Sequence, residues 1–323
     1  MATAKLPAHA YLGLIILVVS SMLLISRTEP VHSLFYIFAW WSYILLIDGL
    51  VYRYKGNSLL VNRTGEFLLL VPWSVFIWLI FEAFNLYIKN WYYVRIIDIR
   101  WLRWVGYFVA YGTVLPGLFE TTEFLEAAGL YKKRRVRPIS PTKIWYGPFI
   151  LSGLAFFILP VVWPQYFFPL VWGCFIFLLE PINHHFGGRS LMRDWQQGSP
   201  RKLYLLLTAG FICGVFWELW NFRAGSKWVY TVPFVGQFKV FEMPIAGYLG
   251  FPPFAVECYV LYNFISLFRE NKGWEEGSIR IQEKTAPYFV LAAVAIIVSY
   301  AYIMFQAIDQ KTVHSFAPVF YQY

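Results

Sequence analysis

Apolar residues run in nine long blocks along this chain, at about 11–27, 35–52, 67–88, 105–129, 145–163, 166–183, 203–222, 248–269 and 286–306, with short polar connections between them. The blocks approach the roughly 20 residues that a helix needs to cross the hydrocarbon layer of a bilayer, and they are too long for strands. The pattern predicts an all-α fold, a polytopic transmembrane helical bundle of about nine spans. The first block follows Lys5 and His9 and lacks a small-residue cleavage site before Arg27-Thr28-Glu29-Pro30, so it reads as a retained span rather than a signal peptide.

The polar residues inside the blocks recur. Phe81-Glu82-Ala83-Phe84-Asn85, then Trp91-Tyr92-Tyr93, then Pro116 and Glu120 is answered about 136 residues later by Trp217-Glu218-Leu219-Trp220-Asn221, Trp228-Val229-Tyr230, Pro253 and Glu257. Upstream, Trp40 to Asp48 with Gly56 and Ser58-Leu59 lines up with Trp172 to Glu180, Gly188 and Ser190-Leu191. This is the signature of a tandem duplication of a four-helix unit plus one C-terminal helix. The expected organisation is transmembrane repeat 1 over 1–129, a basic cytoplasmic linker over 130–144, repeat 2 over 145–270, and a cytoplasmic loop, ninth span and outer tail over 271–323. An even number of spans per unit gives both copies one orientation, with a pseudo-twofold axis near the membrane normal.

Charge fixes the expected sidedness. The connections at 53–66, 130–144, 184–202 and 269–285 together with Lys5 hold 18 Lys and Arg, against 9 on the alternate side, which places the N-terminus in the cytoplasm and the C-terminus outside. Net charge +9 is therefore a topological bias that also attracts anionic headgroups, and without a basic surface away from the spans it excludes nucleic acid as a partner. Cys174, Cys213 and Cys258 all fall in spans and read as small buried residues rather than disulfides or metal ligands. Asn62-Arg63-Thr64 matches a glycosylation acceptor but lies on the cytoplasmic side, where the match is fortuitous. The aromatic content, 21% with 15 Trp, exceeds the needs of interfacial belts, which leaves interior packing or a pocket for a flat, unsaturated ligand.

A carboxylate inside a span costs roughly 2.5–3.5 kcal/mol on insertion scales, so each repeated acid is a candidate for function. Glu82 and Asn85, like Glu218 and Asn221, lie three residues apart and share a helix face, where the carboxamide is placed to hydrogen-bond the acid. The alternative is a polar staple between helices. Pro116 and Pro253 precede Glu120 and Glu257 by one turn and open room beside the acids. Glu123 and Glu126 extend the acidic face in the first copy only, where the second has Val260 and Asn263. Asp48 and Glu180, nearer the cytoplasmic ends, are secondary candidates. Glu180 and His184 at i, i+4, with His185 and Asp194 close by, invite a metal reading, but Gly187-Gly188 ends the helix there and the first copy has Tyr52 and Arg53, so no metal is assigned. Phe241 to Pro244 and the region of Trp104 are expected to form rims over the central seam.

Over about 45 residues per repeat, the order of acidic-aromatic helix, Trp-x-Tyr connection and proline-linked acid resembles the membrane-integral lycopene cyclases and related carotenoid enzymes. The resemblance implies intramembrane acid–base chemistry without a redox metal. Glu82 and Glu218 would match the helix acid, Trp91/Tyr93 and Trp228/Tyr230 the aromatic pair, and Glu120 and Glu257 the proline-linked acid. The leading expectation is an enzyme of isoprenoid or related lipid metabolism, cyclase- or isomerase-like. In it Glu82 or Glu218 donates a proton, Glu120 or Glu257 takes one back, and Asn85, Asn221 and the Trp and Tyr residues hold the substrate. Two other classes stay open: a transporter or proton pathway through the repeat interface, and a non-catalytic subunit that binds a quinone, a carotenoid or membrane-protein partners, including further copies of itself. No nucleotide-binding, nucleophile-elbow or paired-cysteine motif selects among them, and the cofactor is left unknown.

Overall fold

Close helix packing begins where small residues replace bulky ones. In a computed structural model that describes residues 4–139, 143–269, 273–275 and 287–318, α1 (Ala8–Ile25) and α2 (Val31–Lys55) form a tight hairpin. A Cβ at Gly13 would stand 2.6 Å from the Ser42 carbonyl, and one at Gly49 would stand 2.4 Å from Ala10 Cβ, so glycine at both sites permits the approach. The short α3 (Leu59–Asn62) leads into α4 (Thr64–Ile88), β1 (Trp91–Val94), β2 (Ile96–Ile97), α5 (Arg100–Tyr111) and α6 (Val114–Ala127).

The chain then continues through α7 (Tyr146–Val162), α8 (Pro164–Phe167), a 3-10 turn at Phe168–Trp172, α9 (Cys174–His185), α10 (Leu191–Gln196) and α11 (Arg201–Arg223). β3 (Lys227–Tyr230), β4 (Lys239–Val240), β5 (Met243–Pro244) and a 3-10 stretch at Ile245–Gly250 precede α12 (Phe251–Ser266). Last come α13 (Pro287–Lys311) and β6 (Phe316–Ala317). Residues 140–142 of the expected linker, and 270–272, 276–286 and 319–323 of the expected last loop, span start and tail, lie outside the described residues.

The fold is mostly helical, and among the described residues seven helical segments are long and apolar enough to cross a membrane. Two of the nine expected spans have a different form. The 105–129 block is divided between α5 and α6 at Gly112-Thr113, and the 166–183 block is divided around Gly173. A break inside an apolar segment exposes backbone groups that must find partners. At the first break Ser74 Oγ of α4 donates to the Tyr111 carbonyl at 2.6 Å and accepts the Leu115 N–H at 3.0 Å. At the second, Glu257 of α12 accepts the Phe175 N–H at 2.7 Å, satisfying an orphan donor in the first turn of α9 and complementing that helix's dipole.

Three cysteines, Cys174, Cys213 and Cys258, are buried and unpaired. Around them the core is aromatic: Trp40 is boxed edge-on by Tyr36, Tyr43, Trp217 and Trp220. Gly117 passes so close to Trp40 that a Cβ there would lie 2.6 Å from the indole ring.

Candidate functional site

Strand alternation turns the two Trp-x-Tyr sequences into one wall. β1 and β3 pair antiparallel with Trp91 opposite Tyr230 and Tyr93 opposite Trp228, so all four rings share one face of a two-stranded ribbon. That face borders a cavity of about 1350 Å³, part of it open to the surroundings, closed on other sides by Trp78, Trp172, Trp217 and Phe254. The extended backbone lets the short ribbon fold back over the helix that precedes each strand. Asn85 holds that fold-back: its Oδ1 accepts the N–H groups of Asn90 (2.9 Å) and Trp91 (3.2 Å), and its Nδ2 donates to the Trp91 carbonyl at 2.8 Å. Asn221 does the same for Trp228, accepting from its N–H and donating to its carbonyl, both at 2.9 Å. The expected carboxamide–carboxylate bond is therefore replaced: a carboxamide carries both a donor and an acceptor, which suits a peptide unit better than an acid.

The acids themselves are met by the returning rings. Glu82 Oε1 accepts from Tyr93 Oη at 2.5 Å, Trp78 Nε1 at 3.0 Å and Trp91 Nε1 at 3.2 Å, and Glu218 Oε1 accepts from Tyr230 Oη at 2.8 Å. The second oxygen of each, Oε2, is buried without a partner among the described residues. Tyr111 Oη extends the first chain by donating to Tyr93 Oη at 3.2 Å. Burial, then the adjacent Glu82, raises the Tyr93 phenol well above its ordinary value, and burial with Glu218 does the same for Tyr230, so both stay protonated donors. The phenols line the cavity and the two carboxyls stand behind them.

The other acids are placed elsewhere. None of the four acids lines the cavity itself, but Glu82 and Glu218 are bonded to phenols that do whereas Glu120 and Glu257 are not, so the expected pairing of Glu82 with Glu120 and of Glu218 with Glu257 is not seen at the cavity. Glu257 caps α9. Glu120 stands against the Asp48 carboxyl, and among the described residues no N–H or hydroxyl donates to either of its oxygens. Asp48 accepts from Ser58 Oγ and the Leu60 N–H, both at 2.9 Å, with His9 Nε2 at 2.8 Å, and Glu180 accepts from Ser190 Oγ at 2.5 Å and the Met192 N–H at 2.8 Å. These two secondary candidates pin the turns before α3 and α10. Glu123 is neutralised by Lys55 at 2.7 Å and by a forked Arg63 at 2.7 and 2.9 Å, while Glu126 lies 3.3 Å from Lys202.

His184 does not approach Glu180 as a co-ligand. It bonds Tyr146 Oη at 2.6 Å and Gln196 Oε1 at 3.0 Å, and no group of three metal-ligating side chains comes together among the described residues. Asp194, on α10 outside the apolar segments, is pushed by burial from 3.8 to about 6 despite opposing Lys202, Arg189 and Arg193. An acid whose folded value lies above its unfolded one contributes stability that is complete below about pH 4 and is lost as pH rises through about 6, at most about 3 kcal/mol. Thermal unfolding between pH 4 and 7 should show this loss, and Asp194→Asn should flatten it.

Of the expected rims, Met243 lines the cavity, whereas Trp104 turns away to bond Asp309 of α13 at 3.0 Å. Sequence reasoning did not include Trp78, Arg103, Tyr107 or Tyr111 in the site. Trp78 was visible in principle, one helical turn before Glu82; its equivalent in the second copy is Gly214, which leaves room for Phe251. Arg103 and Tyr107 belong to a network closed by Asp309, a residue beyond the repeated motif. No protein-family model matches the chain, and no curated protein or solved structure matches it.

Proposed function

We propose that the chain is a membrane-embedded enzyme that rearranges double bonds of an isoprenoid or similarly unsaturated lipid held in the aromatic cavity, with Glu82–Tyr93 and Glu218–Tyr230 as its two proton-handling pairs. The observation that carries this reading is the placement of two carboxyl–phenol pairs on one aromatic wall, each with an unpartnered carboxyl oxygen behind it. In the proposed reaction a protonated Glu82 reverses the resting bond and passes its proton to Tyr93 Oη as Tyr93 gives its own to one alkene carbon, which leaves Glu82 a carboxylate. The cation that forms lies among Trp78, Trp91, Trp217 and Trp228, whose faces favour positive charge. Tyr230 Oη then takes a proton from a neighbouring carbon as it passes its own to a Glu218 carboxylate, a new double bond or ring closes with no net oxidation, and exchange with solvent restores Glu82 as the acid and Glu218 as the base. The cavity is mostly apolar, which suits a hydrocarbon chain.

In the same reading nine spans cross the membrane, the two four-span units descend from a duplication, the basic connections face the cytoplasm, and the cavity opens toward the outer side. The duplication is supported by matched contacts: Asn85 and Asn221 on the next strand's backbone, Tyr93 and Tyr230 on Glu82 and Glu218, Ser58 and Ser190 on Asp48 and Glu180. The test is deuterium incorporation from heavy water into an acyclic polyene incubated with the protein in nanodiscs, read by mass spectrometry. Wild type should label the polyene, and Glu82→Gln and Glu218→Gln should each slow labelling by about 10²–10⁴-fold, whereas Glu120→Gln should not. Labelling at the wild-type rate in both Glu82→Gln and Glu218→Gln would overturn the proposal.

A further inference from the structure

Next to the aromatic cavity, and sharing Trp91 with it, lies a second recess lined by Lys89, Tyr92, Thr231, Lys311, Thr312 and His314. The two cations that reach the first cavity are already neutralised, Arg103 by Asp309 and Lys227 by Glu242. In the recess no acid answers Lys89 or Lys311 among the described residues. A lysine closing a helix is ordinary, since positive charge complements the C-terminal end of the helix dipole. Two such ends, of α4 and α13, converge on one concavity, and because a helix end offsets only about half of a unit charge, roughly half of each lysine's charge is left over there.

The backbone builds that convergence. Lys89 takes a left-handed conformation (φ 52°) that ends α4, and its carbonyl accepts Thr231 Oγ at 2.6 Å. After α13 the chain runs beside β1, with the Tyr93 N–H donating to the Thr312 carbonyl and the His314 N–H to the Tyr93 carbonyl, both at 2.8 Å. His314 is thereby stacked on Tyr92 with ring centroids 4.0 Å apart.

We propose that this recess binds the phosphate group of an amphiphilic lipid. Resting on the reading of the cavity as an isoprenoid site, the inference names the substrate class as a phosphorylated isoprenoid, with its head between Lys89, Lys311 and His314 on the Tyr92 face of the ribbon and its chain passing the ribbon's edge at Trp91, the residue that recess and cavity share, to reach the aromatic rings. A bilayer phospholipid offers the same head chemistry, and the experiment separates the two sources.

The full chain in nanodiscs is titrated with farnesyl diphosphate and with farnesol, following tryptophan fluorescence. Phosphatidylglycerol retained over phosphatidylcholine is measured by native mass spectrometry. Farnesyl diphosphate should bind about tenfold or more tighter than farnesol, because charge-assisted bonds to phosphate are the stronger kind. Lys89→Gln with Lys311→Gln should erase that difference and leave farnesol binding unchanged, while Lys→Arg at both should keep it. Both lysines are exposed, so the fold should survive, and circular dichroism checks that it does. Lysine-dependent retention of phosphatidylglycerol without a farnesyl diphosphate preference would support the phosphate site and identify the bilayer as its source. If neither farnesyl compound binds the wild type while that retention holds, the recess stands and the isoprenoid reading of the cavity falls. A farnesyl diphosphate preference and a phosphatidylglycerol retention that both survive the Gln substitutions would overturn the inference.

Discussion

Asp309→Ala is expected to loosen the last helix from the bundle at a cost of about 3–5 kcal/mol, the range for breaking a buried ion pair by removing one partner. Asp309 receives four donors: Arg103 Nε at 2.8 Å and Nη2 at 2.7 Å, Tyr107 Oη at 2.9 Å and Trp104 Nε1 at 3.0 Å. All four come from α5, so one carboxylate joins α13 to the wall of the cavity. Arg103 is only 7% exposed and its Nη1 already serves the Ile97 and Asp98 carbonyls, so alanine leaves a buried cation without its counter-charge. Tyr300 Oη to the Leu79 carbonyl and the packing of Phe305 on Tyr107 and Tyr111 would still hold α13 nearby. The expected result is a lowered unfolding temperature in detergent, with faster hydrogen exchange in α5 and α13 and not in α1 or α7. Asp309→Asn, which keeps acceptors but not charge, should lose less. Unchanged exchange in α5 would contradict the role assigned to this carboxylate.

Two acids that sequence alignment treats as equivalent should respond in opposite directions. Glu257→Leu removes the acceptor of the Phe175 N–H and leaves that donor buried inside an apolar segment, a loss of about 1–3 kcal/mol. Glu257→Gln retains an acceptor and should be milder. Glu120 receives no N–H or hydroxyl among the described residues and meets only the Asp48 carboxyl, with which it can share one proton, so Glu120→Leu relieves a crowded pair of buried acids and should leave stability unchanged or raise it. Thermal unfolding of the three variants decides the matter. Equal destabilisation by both leucine substitutions would mean that Glu120 has a structural partner comparable to that of Glu257.

This divergence shows where the sequence was legible and where it was not. The block at 67–88 became α4 nearly end for end, and the acid-x-x-Asn spacing correctly placed Glu82 and Asn85 on one helix near the Trp-x-Tyr connection. The division of labour between them could not be read, because it depends on the chain reversing after Lys89 so that Asn meets a backbone and Glu meets a ring. The breaks at Gly112-Thr113 and near Gly173 were hidden inside continuous apolar runs. Pro169 and Gly173 hinted at the second, yet either break is tolerable only because Ser74 or Glu257 arrives from another helix. The Arg103–Asp309 link was likewise invisible, being a contact across 206 positions with no repeat to announce it.

The β1–β3 ribbon also sets the mechanics of entry. Sliding one strand past the other by a single residue would turn Tyr93 and Trp91 to the opposite face, away from Glu82, because strand side chains alternate with a period of two. The ribbon can therefore serve as a fixed jamb but not as a door. With the α5 wall tied to Asp309, a ligand too large for the resting aperture has to be admitted by the stretch around Met243 and Gly247, which touches the cavity without holding one of these acids.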